Sequence, residues 1–104
     1  VKIQVLFVPG CPNYEPALER VKKVLASESL QVDVEGIAVH TRADARALLF
    51  PGSPTIRING NDIEPEAMNA PSLTCRLYAN RTGVPSEEAV RLAVSRAKAM
   101  ELLA

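Results

Sequence analysis

A chain of 104 residues with 47% apolar side chains has the size and hydrophobicity of one soluble domain, residues 1–104, with a modest core. Twelve basic and twelve acidic side chains cancel, so no basic block marks a nucleic-acid footprint. Aromatic content of 4% without Trp argues against a stacking platform for single strands.

No apolar run approaches the ~20 residues that span a bilayer, so no membrane partner is expected. The opening VKIQVLFV lacks a small-residue cleavage site and is too short for a signal sequence. It reads as a strand, and a cytoplasmic location is expected. The absence of an initiator Met leaves open further native sequence before Val1.

Val1–Val8 alternates and then becomes continuously apolar, as a central strand buried on both faces does. Pro9-Gly10 breaks it. Ala17, Leu18, Val21, Val24 and Leu25 then recur at helical spacing, giving an amphipathic helix over Tyr14–Ser27 with Pro16 in its first turn. Leu30–Ile37 alternates as an edge or half-exposed strand does, and the gap before it suits a right-handed helical crossover between parallel strands. Asp33 and Glu35 are its solvated face.

Thr41 opens a weak capping box for a short helix over Ala43–Phe50, ended by Pro51-Gly52. Thr55–Asn59 is a β-branched strand, Asn59-Gly60 a hairpin turn, and Asn61–Glu64 the returning strand. Residues 65–83 show no period, with room for one helical turn near Cys75. Ser86, Glu87 and Glu88 then begin a last helix that buries Val90, Ala93, Val94 and Ala97. The order βαβαββα implies an α/β fold: a four-stranded mixed sheet, order 2-1-3-4, flanked by helices.

Two segments carry candidate chemistry. In Pro9-Gly10-Cys11-Pro12-Asn13-Tyr14, the thiol sits at or just before a helix N-terminus, where unpaired N–H groups and the dipole favour an anion. Thiolate is such an anion, and it is the nucleophilic form. The bland alternative is a cysteine serving a tight turn. In Phe50-Pro51-Gly52-Ser53-Pro54-Thr55-Ile56, a proline directly precedes a central strand, which a cis Ser53–Pro54 peptide would accommodate.

A first strand ending at Cys-Pro-x-x on a helix start, then Gly-x-Pro-Thr before a strand, resembles the thioredoxin and glutaredoxin superfamily. The resemblance implies that Cys11 is the attacking cysteine and that Pro54 is the cis-proline lying against it. It also implies that Ser53 offers backbone groups to an extended peptide or thiol substrate. Pro12, Asn13, Tyr14, Ser53, Pro54 and Thr55 would form the substrate-binding surface. Tyr14 stands where the second cysteine of C-x-x-C would be, so Cys11 has no resolving partner within its motif.

More narrowly, PGCPNYEPAL, FPGSPTIRINGNDIEP and LTCRLY resemble a family of short thioredoxin-like proteins of unassigned activity. Some of its members carry selenocysteine at the position matching Cys11. Others occur beside mercury-handling genes.

Cys75 follows the fourth strand in the irregular segment. It either resolves a mixed disulfide at Cys11, closing a loop worth roughly 4 kcal/mol of stabilisation, or packs beneath Tyr78 and the last helix. His40 reads as an exposed loop residue, and Met68 and Met100 as packing residues. Arg76 and Arg81 read either as ordinary surface arginines or as positive charge near a thiolate. The leading expectation is a thiol-disulfide or peroxide redox protein without bound cofactor or resident metal, acting on glutathione or a protein disulfide. Capture of a soft metal or mercurial by the two thiols, and a non-catalytic binding module, are the alternatives. One chain with two cysteines cannot supply the four thiolates of an iron–sulfur cluster.

Overall fold

The structure is a computed structural model that describes residues 1–67 and 70–103. The chain runs β1 (Ile3–Phe7), α1 (Tyr14–Ser27), β2 (Val34–Ala38), α2 (Arg42–Ala47), β3 (Thr55–Ile58) and β4 (Asn61–Asp62). A single 3-10 turn at Pro65–Ala67 and α3 (Glu87–Leu103) complete it. The strands form one mixed sheet in the order β2-β1-β3-β4, with β1 parallel to β2 and antiparallel to β3. The fold is therefore the α/β arrangement that the element order implied. The Ser53–Pro54 peptide is cis.

Strand alternation divides the core. Ile3 and Val5 of β1, with Ile56 and Ile58 of β3, face the apolar stripes of α1 (Ala17, Val21, Val24) and α3 (Val90, Val94, Ala97). Leu6 faces the opposite way, into a smaller cluster with Val39, Ala45 and Phe50. Two helices thus cover one face and α2 the other. Val21 and Val24 are fully buried, and each contributes roughly 1.5–3 kcal/mol by leaving water.

Local chemistry fixes the ends of these elements. Asn59 and Gly60 both take positive φ, 53° and 82°, as a type I′ hairpin turn requires. The Thr41 hydroxyl accepts from the Asp44 N–H at the start of α2, and the Ser86 hydroxyl accepts from the Ala89 N–H at the start of α3. Lys23 of α1 meets Glu87 of α3 at 2.7 Å. That hydrogen bond, with the Lys23 charge, holds the Glu87 carboxyl below its ordinary range.

The structure corrects four boundaries. β2 starts at Val34 rather than Leu30, because its register pairs Val34 with Ile3, the first residue of β1. α2 stops at Ala47 because Leu49 turns left-handed (φ 53°) and the Phe50 N–H folds back onto the Ala45 carbonyl, 2.8 Å. That reversal drops Phe50 into the smaller core cluster. β4 ends at Asp62, whose carboxylate accepts from the Glu64 N–H at 2.8 Å. The helical turn falls at Pro65–Ala67, not near Cys75. Met68 lies outside the described residues, and Met100 is 68% exposed rather than packed. Among the described residues no helix is long and apolar enough to cross a membrane.

Tyr14 has a packing role at the start of α1. Its ring stacks on Phe7 with centroids 3.8 Å apart, which carries its hydroxyl over β2 at Gly36. A methyl group on Gly36 would lie 2.6 Å from that hydroxyl oxygen. Gly36→Ala is therefore expected to cost about 1–3 kcal/mol by overpacking. Most of that cost should vanish in a Tyr14→Phe background, which removes the colliding atom. A double-mutant cycle by urea unfolding checks this coupling.

Candidate functional site

Cys11 lies between two turns. Pro9 and Gly10 hold the central positions of the first, Gly10 at φ 86°, and the Cys11 N–H closes it on the Val8 carbonyl at 3.0 Å. This is the geometry of a type II turn, in which the third residue must take positive φ. The Cys11 carbonyl then accepts from the Tyr14 N–H at 3.3 Å and leads the chain into α1. Asn13 is the N-cap, but its side chain makes no capping bond. It lies instead against Gly83, where a methyl group would come within 2.2 Å of its amide nitrogen. The segment after Tyr78 therefore returns to the end of the sheet that carries Cys11. The Cys11 thiol is half-buried, and Pro9, Gly10 and Pro12 around it are exposed.

Ser53 joins this turn to the second cysteine. Its hydroxyl accepts from the Val8 N–H at 3.0 Å, the same residue whose carbonyl holds Cys11. Its own N–H donates to the Thr74 carbonyl at 2.9 Å, and its carbonyl accepts from the Arg76 N–H at 3.0 Å. Those two bonds pair Ser53 with Cys75 in a parallel β-bridge. Residues 72–78 thus form a strap along the segment before β3, bent at Leu73 and Thr74 and bridged to it at Cys75. Their alternation is strict at its C-terminal end: Cys75 and Leu77 are exposed, while Arg76 and Tyr78 are buried. Cys75 is accordingly not the packed cysteine beneath Tyr78 that was one of its two expected roles, because the strap's pleat turns its side chain outward.

Arg76 anchors the strap. It is 1% exposed, against the expectation of a surface charge near a thiolate. Its guanidinium makes a bidentate pair with the Asp62 carboxylate at the end of β4. It also donates to the Glu64 carbonyl at 2.9 Å and lies over the Tyr78 ring, 4.4 Å from the centroid. Burial works against its charge, but the Asp62 hydrogen bond and the fields of Tyr78, Asp62 and Glu64 hold its pKa above the ordinary value. Its Nε has no hydrogen-bond partner among the described residues. Burial in turn pushes the Tyr78 phenol up, and its O–H donates to the Pro54 carbonyl at 2.6 Å. Gly52, at φ 141°, lets the strap approach, since a methyl group there would lie 3.1 Å from the Arg76 backbone. Glu64 completes the frame by accepting from the Ala79 N–H at 2.8 Å.

The expected substrate-binding residues separate into two groups. Pro12 is exposed, and Asn13 and Tyr14 are half-buried beside Cys11. Ser53, Pro54 and Thr55 are buried, with Thr55 fully enclosed and its hydroxyl bonded to the Gly52 carbonyl at 2.7 Å. The backbone groups of Ser53 are not free for a substrate, because the strap holds them. His40, Asp33 and Glu35 are exposed, as expected, and Arg81 is exposed at φ 63°. The sequence reading missed Asp62 and Glu64, and it misplaced Arg76. The signal was present in Cys75-Arg76-Leu77-Tyr78, whose alternation is that of a half-buried strand.

Comparison of the chain with protein-family models, with curated proteins and with solved structures gives no match.

Removing one partner of a buried ion pair strands the other charge. Arg76→Ala is therefore expected to cost about 3–5 kcal/mol in urea unfolding. Its exposed neighbour is the control: Leu77, 58% exposed, should tolerate Ala within about 0.5 kcal/mol.

Proposed function

We propose that the chain is a thioredoxin-like thiol redox protein in which Cys11 attacks a disulfide and Cys75 resolves the product. The observation that carries this reading is Ser53. Through Val8 it holds the turn of Cys11, and through its backbone it holds the strap of Cys75. The sheet order, with α1 and α3 on one face and α2 on the other, supports the thioredoxin-like assignment. Two unpaired thiols suit a reducing, cytoplasmic compartment.

The chemistry is thiol–disulfide exchange. Cys11, as thiolate, attacks one sulfur of a disulfide R–S–S–R, forming a Cys11–S–S–R bond and expelling a thiolate that takes up a proton. Cys75 then loses its proton and attacks the Cys11 sulfur, forming the Cys11–Cys75 disulfide and expelling the second thiolate. Two electrons pass from the protein to the substrate disulfide. Cys75 takes the part that Tyr14, in the place of a second motif cysteine, cannot fill. Cys11 is half-buried and Cys75 exposed, so neither residue is sealed in the core.

Mild oxidation with diamide should lower the mass of the reduced monomer by two hydrogens. Peptide mapping should give a Cys11–Cys75 cross-link. With a small disulfide as oxidant, a Cys75→Ser variant should stop at a mixed disulfide on Cys11. Cys11→Ser should give no cross-link and should lose the activity. Sulfinic acid at Cys11 or intermolecular dimers, with no internal cross-link, would contradict the role of Cys75.

A further inference from the structure

An extended polypeptide binds a sheet edge by adding a strand, which needs backbone donors and acceptors that are still free. In the segment before β3, which Ser53 ties to the turn of Cys11 through Val8, most of those groups are spent. The Phe50 carbonyl accepts from the Ser72 N–H, 2.9 Å, and the Gly52 carbonyl accepts from the Thr55 hydroxyl, 2.7 Å. The Ser53 N–H and carbonyl are bonded to Thr74 and Arg76. The Pro54 carbonyl accepts from Tyr78, and neither Pro51 nor Pro54 has an N–H to give.

The strap that fills this edge is not a loose flap. Lifting it would strip Arg76 from Asp62, expose Tyr78 and break its two backbone bonds to Ser53. Cys11, by contrast, is partly exposed in a turn bordered by exposed residues, so a small molecule reaches it without strand pairing.

We infer that the strap fixes the substrate class: Cys11 exchanges with low-molecular-mass disulfides, and disulfides embedded in extended polypeptide are rejected because the chain's own Thr74–Arg76 segment occupies their place. This inference rests on the thiol-redox reading above. The exchange is the one already balanced, with both leaving groups small thiols. Two lost backbone hydrogen bonds, at their usual net worth, correspond to discrimination of roughly fivefold to 150-fold.

The test is single-turnover oxidation of the fully reduced protein by oxidised glutathione and by insulin, followed by loss of free thiol and by mass. Each rate constant is divided by that of dithiothreitol with the same disulfide, which cancels intrinsic reactivity. The wild-type protein should favour glutathione disulfide over insulin by about fivefold or more on this normalised scale. Asp62→Asn, which weakens the anchor, should narrow that ratio while the variant remains folded by circular dichroism. If Asp62→Asn does not fold, the wild-type ratio decides alone. Equal or insulin-favouring normalised rates in the wild type would overturn the inference and leave the redox reading standing. A ratio unchanged in folded Asp62→Asn would also overturn it. Failure of both disulfides to oxidise Cys11 would remove the redox reading itself, and the inference with it.

Discussion

The ion pair between Arg76 and Asp62 is the constraint on which the second half of the molecule depends. Two charges leave water to form it, and such a pair is seldom more stabilising than well-packed apolar side chains of the same size. Its consequence is directional. The guanidinium offers donors in a rigid fork, and their acceptors here are the Asp62 carboxylate and the Glu64 carbonyl, both fixed by the hairpin of β3 and β4. An apolar side chain at that position would fill space but would leave those acceptors without their donors. With Arg76 held inward, the pleat places Cys75 outward and opposite Ser53.

The site follows from that placement. β1 is one of the two central strands, paired on both sides, so its end is a fixed point from which the Pro9-Gly10 turn presents Cys11. Ser53 reaches the same point from the β3 side through Val8. Gly52 permits the strap to lie close, and Tyr78 closes it over Pro54. Two cysteines distant in sequence are thus carried by segments that share one serine. The same bonds that bring the strap to Ser53 also consume the edge a polypeptide would use. In the proposed reading, resolution by Cys75 and selectivity for small disulfides both follow from this one arrangement.

Most of the architecture was legible in the residues. The Val1–Val8 run, the stripe from Ala17 to Leu25, the Asn59-Gly60 turn and the Ser86 cap each state a local preference that the tertiary packing keeps. What was lost lies where tertiary partners override local pattern. Leu30–Asp33 alternates like a strand, but β1 offers it no pairing partner. Leu48–Phe50 continues a helical run, but Phe50 is drawn back into the core. For the candidate site, Cys11 was visible from its turn and helix start. The role of Ser53 was visible only as an open pairing edge, because its actual partner lies in a segment without period. Arg76 looked like a surface charge, since nothing local announces that Asp62 will be buried beside it.

Amide hydrogen exchange at Ser53 and Arg76 tests the central claim most directly, because their two N–H groups make the bonds that dock the strap. If the strap is an integral part of the folded domain, both amides exchange with protection close to that of the central β1 amides, such as Val5, and open only with global unfolding. Exchange of either amide at the rate of an exposed loop would contradict the account, since the strap would then open independently and leave the edge beside Cys11 free.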